Sequence, residues 1–428
     1  MDCHCESPGP QLANFLNRDC QCIEVDTALL RASLTEHLQA SGAPASLIDL
    51  GDFPFAGAPV FVWRDHIEQM AQAIRAIEAV AATPGFRNDL LAVAPISARK
   101  DFGTRGVFCS YDFHLGADGP RLIEINTNAG GVLLSLYLAA AQKACCPQIT
   151  ALFSGQADFS SVERSLVDMF REEWRLQRGN GVPGTIAIVD VEPPSQPLYN
   201  EFLLFQSLFR RHGIDAIVAG PDELRLRDGK LRVGERSIDL VYNRLTDFYL
   251  LEGPSASLLD AYRNGAAVIT PAPFHYALLA DKRNLPVLAD ARRLRSMQVD
   301  ETLIEILHRY IPPAVAVTES NAADLWARRK EMFFKPRAGF GGRGAYRGAK
   351  MTRRVWRDIL DADYIAQSLV APSERRILVN GEERALKMDI RCVTYQGRIQ
   401  HVGARLYQGQ TTNLRTRGGG LASVFAAP

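Results

Sequence analysis

The sequence predicts an α/β protein of several lobes, one part a parallel α/β layer and the rest helices with strands and glycine-rich loops. Three observations carry this. At 428 residues the chain is too long for one ordinary core. Between residues 185 and 243, apolar runs of strand length are interrupted by one helical run, the order that builds a parallel sheet. From Lys330 to Phe425 the chain reads mostly as strands and glycine-rich loops.

In chain order, residues 26–41 read as a helix with Asp26 or Thr27 as its N-cap. After the turn residues Gly51-Asp52-Phe53-Pro54, the side chains Ile67, Met70, Ala71, Ile74, Ile77 and Val80 recur at helical spacing. Thr83-Pro84-Gly85 should close that helix. Two strand-like runs follow, Val107 to Phe113 and Leu122 to Asn126, on either side of a turn at 116–120. The composition breaks at 178–184, where Gly and Pro cluster. Beyond it, Thr185 to Val191 has a buried-strand pattern, Tyr199 to His212 a helical one, and Asp215 to Ala219 and Leu240 to Asn243 are strand-like. Another helical run starts near Ser255.

Composition narrows the function classes. With 47% hydrophobic and 23% charged residues the chain is globular, not collagenous or disordered. Lys+Arg 49 against Asp+Glu 48 leaves a formal charge of +1, so no global basic field draws in nucleic acid or an anionic membrane. The longest charge-free stretch, Ile125 to Gln142, contains Asn126, Asn128 and two glycines and is a poor membrane span. Met1 to Cys5 shows neither a basic n-region nor an apolar h-region. The expectation is a cytoplasmic enzyme or binding protein, with no nucleic-acid or membrane partner and homo-oligomerisation left open.

Six of the eight cysteines fall in close pairs: Cys3 with Cys5, Cys20 with Cys22, and Cys145 with Cys146. Two C-x-C units could hold zinc, although structural zinc sites usually use C-x₂₋₄-C knuckles, and ordinary cytosolic thiols are the simpler expectation. Cys109, Cys145, Cys146 and Cys392 read as core packing.

Gly339-Phe340-Gly341-Gly342-Arg343-Gly344 matches G-x-G-x-x-G. A dinucleotide site needs a helix to begin inside that run, whereas Ala345-Tyr346-Arg347-Gly348 reads as a strand returning from a hairpin. The preceding strand, Met332 to Pro336, carries Lys335 near its end. A strand lysine beside a glycine-rich hairpin suits a nucleotide triphosphate: backbone amides approach the phosphates and the ammonium offsets their charge. No Gly-Lys-Ser/Thr closes the loop, so it is not a Walker A motif.

Asp112 and Glu124 lie on the two strands flanking the 116–120 turn, and Asn126 follows Glu124 by two residues, on the same face. Two carboxylates and an amide oxygen on one face form a hard-oxygen site suited to Mg²⁺ held between protein and phosphates.

Together these constellations resemble the ATP-grasp superfamily of ATP-dependent carboxylate–amine ligases. Asp112 with Leu122-Ile123-Glu124-Ile125-Asn126-Thr127-Asn128-Ala129-Gly130 is similar to the family's metal-binding hairpin, and Phe334-Lys335-Pro336 with loop 339–344 to its phosphate-covering hairpin. Asp281-Lys282, ahead of Leu285-Pro286, resembles the motif of the second ATP lysine, and Ala366-Gln367-Ser368-Leu369-Val370 the adenine hinge. Asp389-Ile390-Arg391, Ala404-Arg405 and Asn413-Leu414-Arg415 with Gly418-Gly419-Gly420 are similar to ligases that add glutamate to a ribosomal protein's tail. The acidic hairpin precedes the phosphate loop, so the likeness is to the circularly permuted branch that includes glutathionylspermidine synthetase. Val241-Tyr242-Asn243-Arg244 within 182–275 resembles the α/β domain that precedes the ATP-grasp lobes.

The resemblance implies ATP and Mg²⁺ as cofactors and a small-molecule or peptide carboxylate and an amine as partners. Asp112, Glu124 and Asn126 would hold the metal, and Lys282 and Lys335 would offset phosphate charge. Gly339, Gly341 and Gly342 would close over the phosphates, Gln367, Leu369 and Val370 would meet the base, and Asn413 would lie by the nucleotide. Arg391 and Arg405 would serve as catalytic oxyanion binders. The implied division is 1–50, a cysteine-containing segment; 51–178, the permuted part of the C-terminal lobe; 179–275, the α/β domain; 276–370, the N-terminal lobe; and 371–428, the remainder of the C-terminal lobe. A phosphotransferase on the same scaffold and a non-catalytic ATP-binding regulator are the alternatives.

Overall fold

A computed structural model describes residues 9–21, 23–40, 55–144, 159–339, 341–414 and 416–428. Cys3, Cys5, Cys22, Cys145, Cys146, the turn residues 51–54, Phe340 and Arg415 lie outside them. The longer helices are α1 (Pro10–Asp19), α2 (Thr27–Ala40), α3 (Arg64–Ala82), α4 (Pro84–Val93), α5 (Val132–Ala140), α6 (Phe159–Arg178), α7 (Tyr199–Arg211), α8 (Ala256–Asn264), α9 (Glu301–Tyr310) and α10 (Arg353–Leu360). The strands needed here are β1 (Val60–Trp63), β2 (Cys109–Gly116), β3 (Gly119–Asn126), β4 (Thr185–Val189), β5 (Asp215–Ala219), β6 (Leu240–Asn243), β7 (Val268–Thr270), β8 (Ala314–Ala316), β9 (Met332–Pro336), β10 (Tyr346–Arg347), β11 (Tyr364–Ser368), β12 (Ser373–Val379), β13 (Glu382–Tyr395), β14 (Arg398–Tyr407) and β15 (Gly420–Ala427).

Three sheets organise the fold, and two of them position the site. The largest runs β1-β15-β14-β13-β2-β3, with β12 pairing the first half of the long strand β13 and β2 its second half. Segments far apart in sequence, 60–126 and 373–427, therefore share one sheet. Its period-2 pattern divides two environments. Tyr111, Phe113, Ile125, Ile390, Cys392, Ala404 and Ala422 pack with Met70, Ile74, Ile77 and Val80 of α3 in one core. The intervening residues, among them Asp112, Asp389, Arg391 and Arg405, face the other way.

A second sheet, β8-β11-β9-β10, is antiparallel throughout. The third, β7-β6-β4-β5, is wholly parallel, as strand–helix–strand order predicts. Helices α5, α6 and α7 contribute Leu134, Phe170 and Phe205 to a core with Ile186, Ile188 and Tyr242. Neither α5 nor α6 was expected; α5 is apolar almost all round, so it lacks the stripe by which amphipathic helices are recognised.

Local expectations hold with shifts at the ends. Asp26 caps α2, its Oδ1 accepting from the Leu29 amide at 3.0 Å. Thr83 ends α3, but Pro84 opens α4 at once, because proline is tolerated in a first helical turn. The β2–β3 strands extend through most of the expected turn, pairing Leu115 with Pro120 and Gly116 with Gly119, which leaves Ala117-Asp118 as the loop. Cys20, Cys109 and Cys392 are buried. Among the described residues, no helix is long and apolar enough to cross a membrane.

Candidate functional site

Where the polar face of the large sheet meets the antiparallel sheet there is a cleft of about 250 Å³, close to the lower end of small-molecule sites. Strand pairing sets its floor. Asp112 of β2 lies opposite Glu124 of β3 on one side and Arg391 of β13 on the other, and Asp389 lies opposite Arg405 of β14. Arg391 and Arg405 thus each face a carboxylate across a strand pair, which cross-strand pairing favours, whereas Asp112 and Glu124 are like charges directly opposite and need cations beside them.

Asp112 is 1% exposed. Arg391 donates to it from Nε and one terminal nitrogen at 2.8 Å each, and Arg405 at 2.7 Å. Arg405 also forks onto Asp389 at 2.8 Å through two nitrogens, and Thr412 donates to the same carboxylate at 2.5 Å. Burial alone would raise the Asp112 pKa, but the two guanidiniums outweigh it and hold the carboxyl well below its ordinary range. The Arg405 proton is held more tightly than in water, the attraction of Asp112 and Asp389 exceeding the effect of burial.

The roof comes from the lysine-bearing segments. Lys282 follows a π-helical turn at Tyr276–Ala280 and stands 3.0 Å from Glu124, while donating to the Gly339 carbonyl at 2.6 Å. Lys335 donates to the Ile123 carbonyl at 2.5 Å and to Gln367 Oε1 at 2.8 Å. Burial pushes the Lys335 ammonium down to about 8, Glu124 opposing the shift and Lys282 adding to it. Glu124 is lowered in spite of its burial, because Lys282 and Lys335 favour its anion.

The glycine run is a turn between β9 and β10, with no helix starting inside it, so the dinucleotide match is a decoy. Gly341 and Gly342 have φ of +59° and +71°. A Cβ on Gly342 would come within 2.8 Å of Thr411, so glycine lets this flap lie against the 408–414 loop.

Asp112, Glu124, Asn126, Lys282, Lys335, Gly339, Gly341, Gly342, Gln367, Leu369, Val370, Arg391 and Arg405 all line the cleft. Asn413 does not; its amide donates to the Gln408 carbonyl and its oxygen accepts from Thr416, which shapes the loop beside the cleft. His114, Tyr407 and Asp389 also line the cleft and were not singled out as site residues. The period of two could have found them: His114 follows Asp112 by two residues, Tyr407 follows Arg405 by two, and Asp389 precedes Arg391 by two.

Among the described residues no three His, Cys, Asp or Glu side chains group so as to hold a metal ion. Glu124 keeps its side chain 28% exposed in the cleft, and Asn126 turns its NH₂ toward Asp112 at 3.2 Å, leaving its oxygen on the far side. Those two groups suit a hard cation completed by phosphate oxygens. Asp112 is engaged as well, Oδ2 accepting from Arg391, Arg405 and Asn126 while Oδ1 accepts from Arg391 alone.

No protein-family model matches the chain, and no curated protein does either. Solved structures do. A glutathione synthetase-like effector from Globodera pallida, crystallised without ligand, aligns over 94% of this chain and 98% of its own, with a TM-score of 0.55 and 13% identity. A candidate gamma-glutamylcysteine synthetase from Methylobacillus flagellatus aligns over 81% and 84%, at TM-score 0.44 and 11% identity. D-alanyl-alanine synthetase A from Vibrio cholerae aligns over 56% and 87%, at TM-score 0.30 and 10% identity. Likeness at the level of the last two fixes nothing further. Nearly full-length agreement with the first, around a cleft between an acidic hairpin and a lysine-bearing sheet, gives the conclusion that the chain has an α/β fold of the ATP-grasp type.

Proposed function

We propose that the protein is an ATP- and Mg²⁺-dependent ligase that joins a carboxylate to an amine through an acyl phosphate. One observation carries the reading. Two buried lysines, two arginines and a glycine flap converge on one cleft with Glu124 and Asn126, so a tetra-anionic nucleotide and a second oxyanion find compensating charge there. The fold's strand order supports a circular permutation, because the hairpin at 109–126 completes a sheet whose other strands come mostly from 373–427. The buried free cysteines Cys109 and Cys392 and the proposed dependence on ATP suit a cytoplasmic setting.

A carboxylate oxygen attacks the γ-phosphorus, and the bond to the bridging oxygen breaks to release ADP. An amine then attacks the acyl carbon, phosphate leaves, and the nitrogen gives up a proton. Such chemistry depends on alignment and charge neutralisation more than on a protein nucleophile. Lys282 and Lys335 offset charge on the nucleotide, and the Gly341 and Gly342 backbone covers it. Arg391 and Arg405 hold the substrate carboxylate or the transferring phosphoryl group, each through the amine it has not given to Asp112. The cation, when bound, spreads the phosphate charge, with Glu124 and Asn126 as the residues that would hold it. A small-molecule or peptide carboxylate is the substrate class.

Incubation with Mg-ATP, a panel of carboxylates and hydroxylamine tests the reading. Hydroxamate formed together with ADP is expected for a ligase. A stable phosphorylated product without hydroxamate would point to a phosphotransferase, and ATP binding with no ADP release under any carboxylate would point to a regulator.

A further inference from the structure

We infer that the surface running from the cleft mouth through Gly348–Lys350 to α10 docks an acidic peptide. This rests on the ligase reading above and deepens it, because it assigns the carboxylate substrate to an acidic polypeptide. Residues 328–357 hold eleven of the chain's 49 lysines and arginines and a single acidic residue, Glu331. The segment therefore carries a formal charge of +10 and the rest of the chain −9, so the near-neutral total hides a strong separation of charge. Some of these cations are spent locally, Arg328 on Asp324 at 3.6 Å and Arg337 on Asp363 at 3.1 Å, while Lys335 serves the cleft. Among the described residues no carboxylate pairs with Lys330, Arg347, Lys350, Arg353, Arg354 or Arg357, and all six are exposed.

The cations form a continuous track. Arg343, Arg347 and Lys350 line the cleft. The turn Gly348–Lys350 lies against the turn Arg329–Glu331 so closely that a Cβ on Gly348 would strike the Arg329 carbonyl oxygen. Thr352 then caps α10, its Oγ accepting from the Val355 amide at 3.3 Å, and Arg353 and Arg354 open the helix with no acidic residue in its first turn. Positive charge there opposes the helix dipole, so α10 gives up some stability to present these side chains. Arg329 and Arg353 both lie over the Trp326 ring, at 4.1 and 4.3 Å from its centre, which fixes two guanidiniums beside each other's path to solvent. Trp356 crowds the same ring at 5.7 Å between centres. Little of the indole is left for a base to stack on, and single-stranded nucleic acid is held largely by such stacking. A row of unpaired guanidiniums and ammoniums without a stacking platform, leading into a cleft that takes a carboxylate, fits a chain of glutamates or aspartates.

The test follows a fluorescein-labelled deca-glutamate peptide by anisotropy at low salt, without nucleotide, beside a Gly-Ser peptide and a single-stranded RNA oligonucleotide. The glutamate peptide should bind and the Gly-Ser peptide should not. Affinity should fall at least about tenfold in Arg354→Gln with Arg357→Gln, and again at high salt. The melting temperature of this variant should stay close to the original, because both side chains are exposed and unpaired, and its Mg-ATP affinity should stay within about twofold. Equal affinity in the variant and the unmodified protein, or no peptide binding at low salt, overturns the inference. Tighter binding of the RNA, lost in the same variant, overturns it in favour of a nucleic-acid surface. Because the binding assay contains no nucleotide, absence of hydroxamate with every carboxylate would remove the ligase reading while the docking surface stands or falls on the peptide alone.

Discussion

Lys282 Nζ stands 3.0 Å from Glu124 Oε1, so a residue from the segment after the π-helical turn pairs with a carboxylate 158 positions earlier in the chain, at the mouth of the cleft. The lysine side chain is 8% exposed and also holds the glycine flap through Gly339. Lys282→Met should lower carboxylate-dependent ADP release by about 100-fold, the scale of losing one preorganised charge partner. Glu124 can still face the cleft, so the melting temperature should change little. Steady-state kinetics with a thermal melt checks both halves.

Glu173 of α6 is a structural tie. It accepts from the amides of Arg105 and Gly106 at 2.8 and 3.0 Å, from Thr270 at 2.5 Å and from Tyr395 at 2.9 Å. These partners belong to the loop before β2, to β7 and to β13. Glu173→Ala leaves four donors without their acceptor and should destabilise the fold by at least about 3 kcal/mol, while Glu173→Gln should lose less. Denaturant midpoints of the two variants, read side by side, decide the ranking.

Arg375 on β12 is fully buried, and its guanidinium donates to the carbonyls of Leu16, Asn17, Cys20 and Pro59. It thereby ties down the carbonyl end of α1, where Leu16 also accepts from the Cys20 amide at 3.1 Å. Arg375→Met should free α1, seen as faster proteolysis before residue 55 with the cleft's ligand affinity little changed. Equal protease resistance in the variant would contradict this role.

Much of this arrangement was legible in the sequence. The period-2 face of 109–126 and the lysine next to a glycine run are local patterns that survive folding because strand alternation is rigid, while Arg391 and Arg405 were reached only through the family resemblance. The Asp112 bond to Arg391 was not legible: it depends on which strand lies beside β2, and that neighbour is 279 positions away. For the same reason Asp112 and Arg391 were expected to act on separate ligands. Asn413 was misplaced because a loop side chain has no periodicity to aim it. Helices α5 and α6 were missed, α5 because it lacks an amphipathic stripe.

Asp190, just past the end of β4, is buried, and that burial pushes its carboxyl up to about 6, with Arg244 opposing the shift. Its folded pKa lies above the unfolded one, so between about pH 4 and 6 the folded state holds a proton that the unfolded state has lost. Stability from this group therefore falls as pH rises through that window, by about 3 kcal/mol, and the penalty is complete above pH 6. Asp190→Asn should raise stability at pH 8 more than at pH 5. Denaturant titrations of both proteins at the two pH values measure the difference, and an equal gain at both would refute it.

The central claim is that the Asp112–Glu124 hairpin and the Lys335–glycine flap enclose one nucleotide site. Calorimetric titration of Mg-ATP into the unmodified protein and into Lys335→Met tests it most directly. One site per chain is expected, weakened at least about tenfold by Lys335→Met, with the variant's melting temperature in the absence of nucleotide close to the original. Binding of equal strength in both proteins, or no binding in either, would contradict the account.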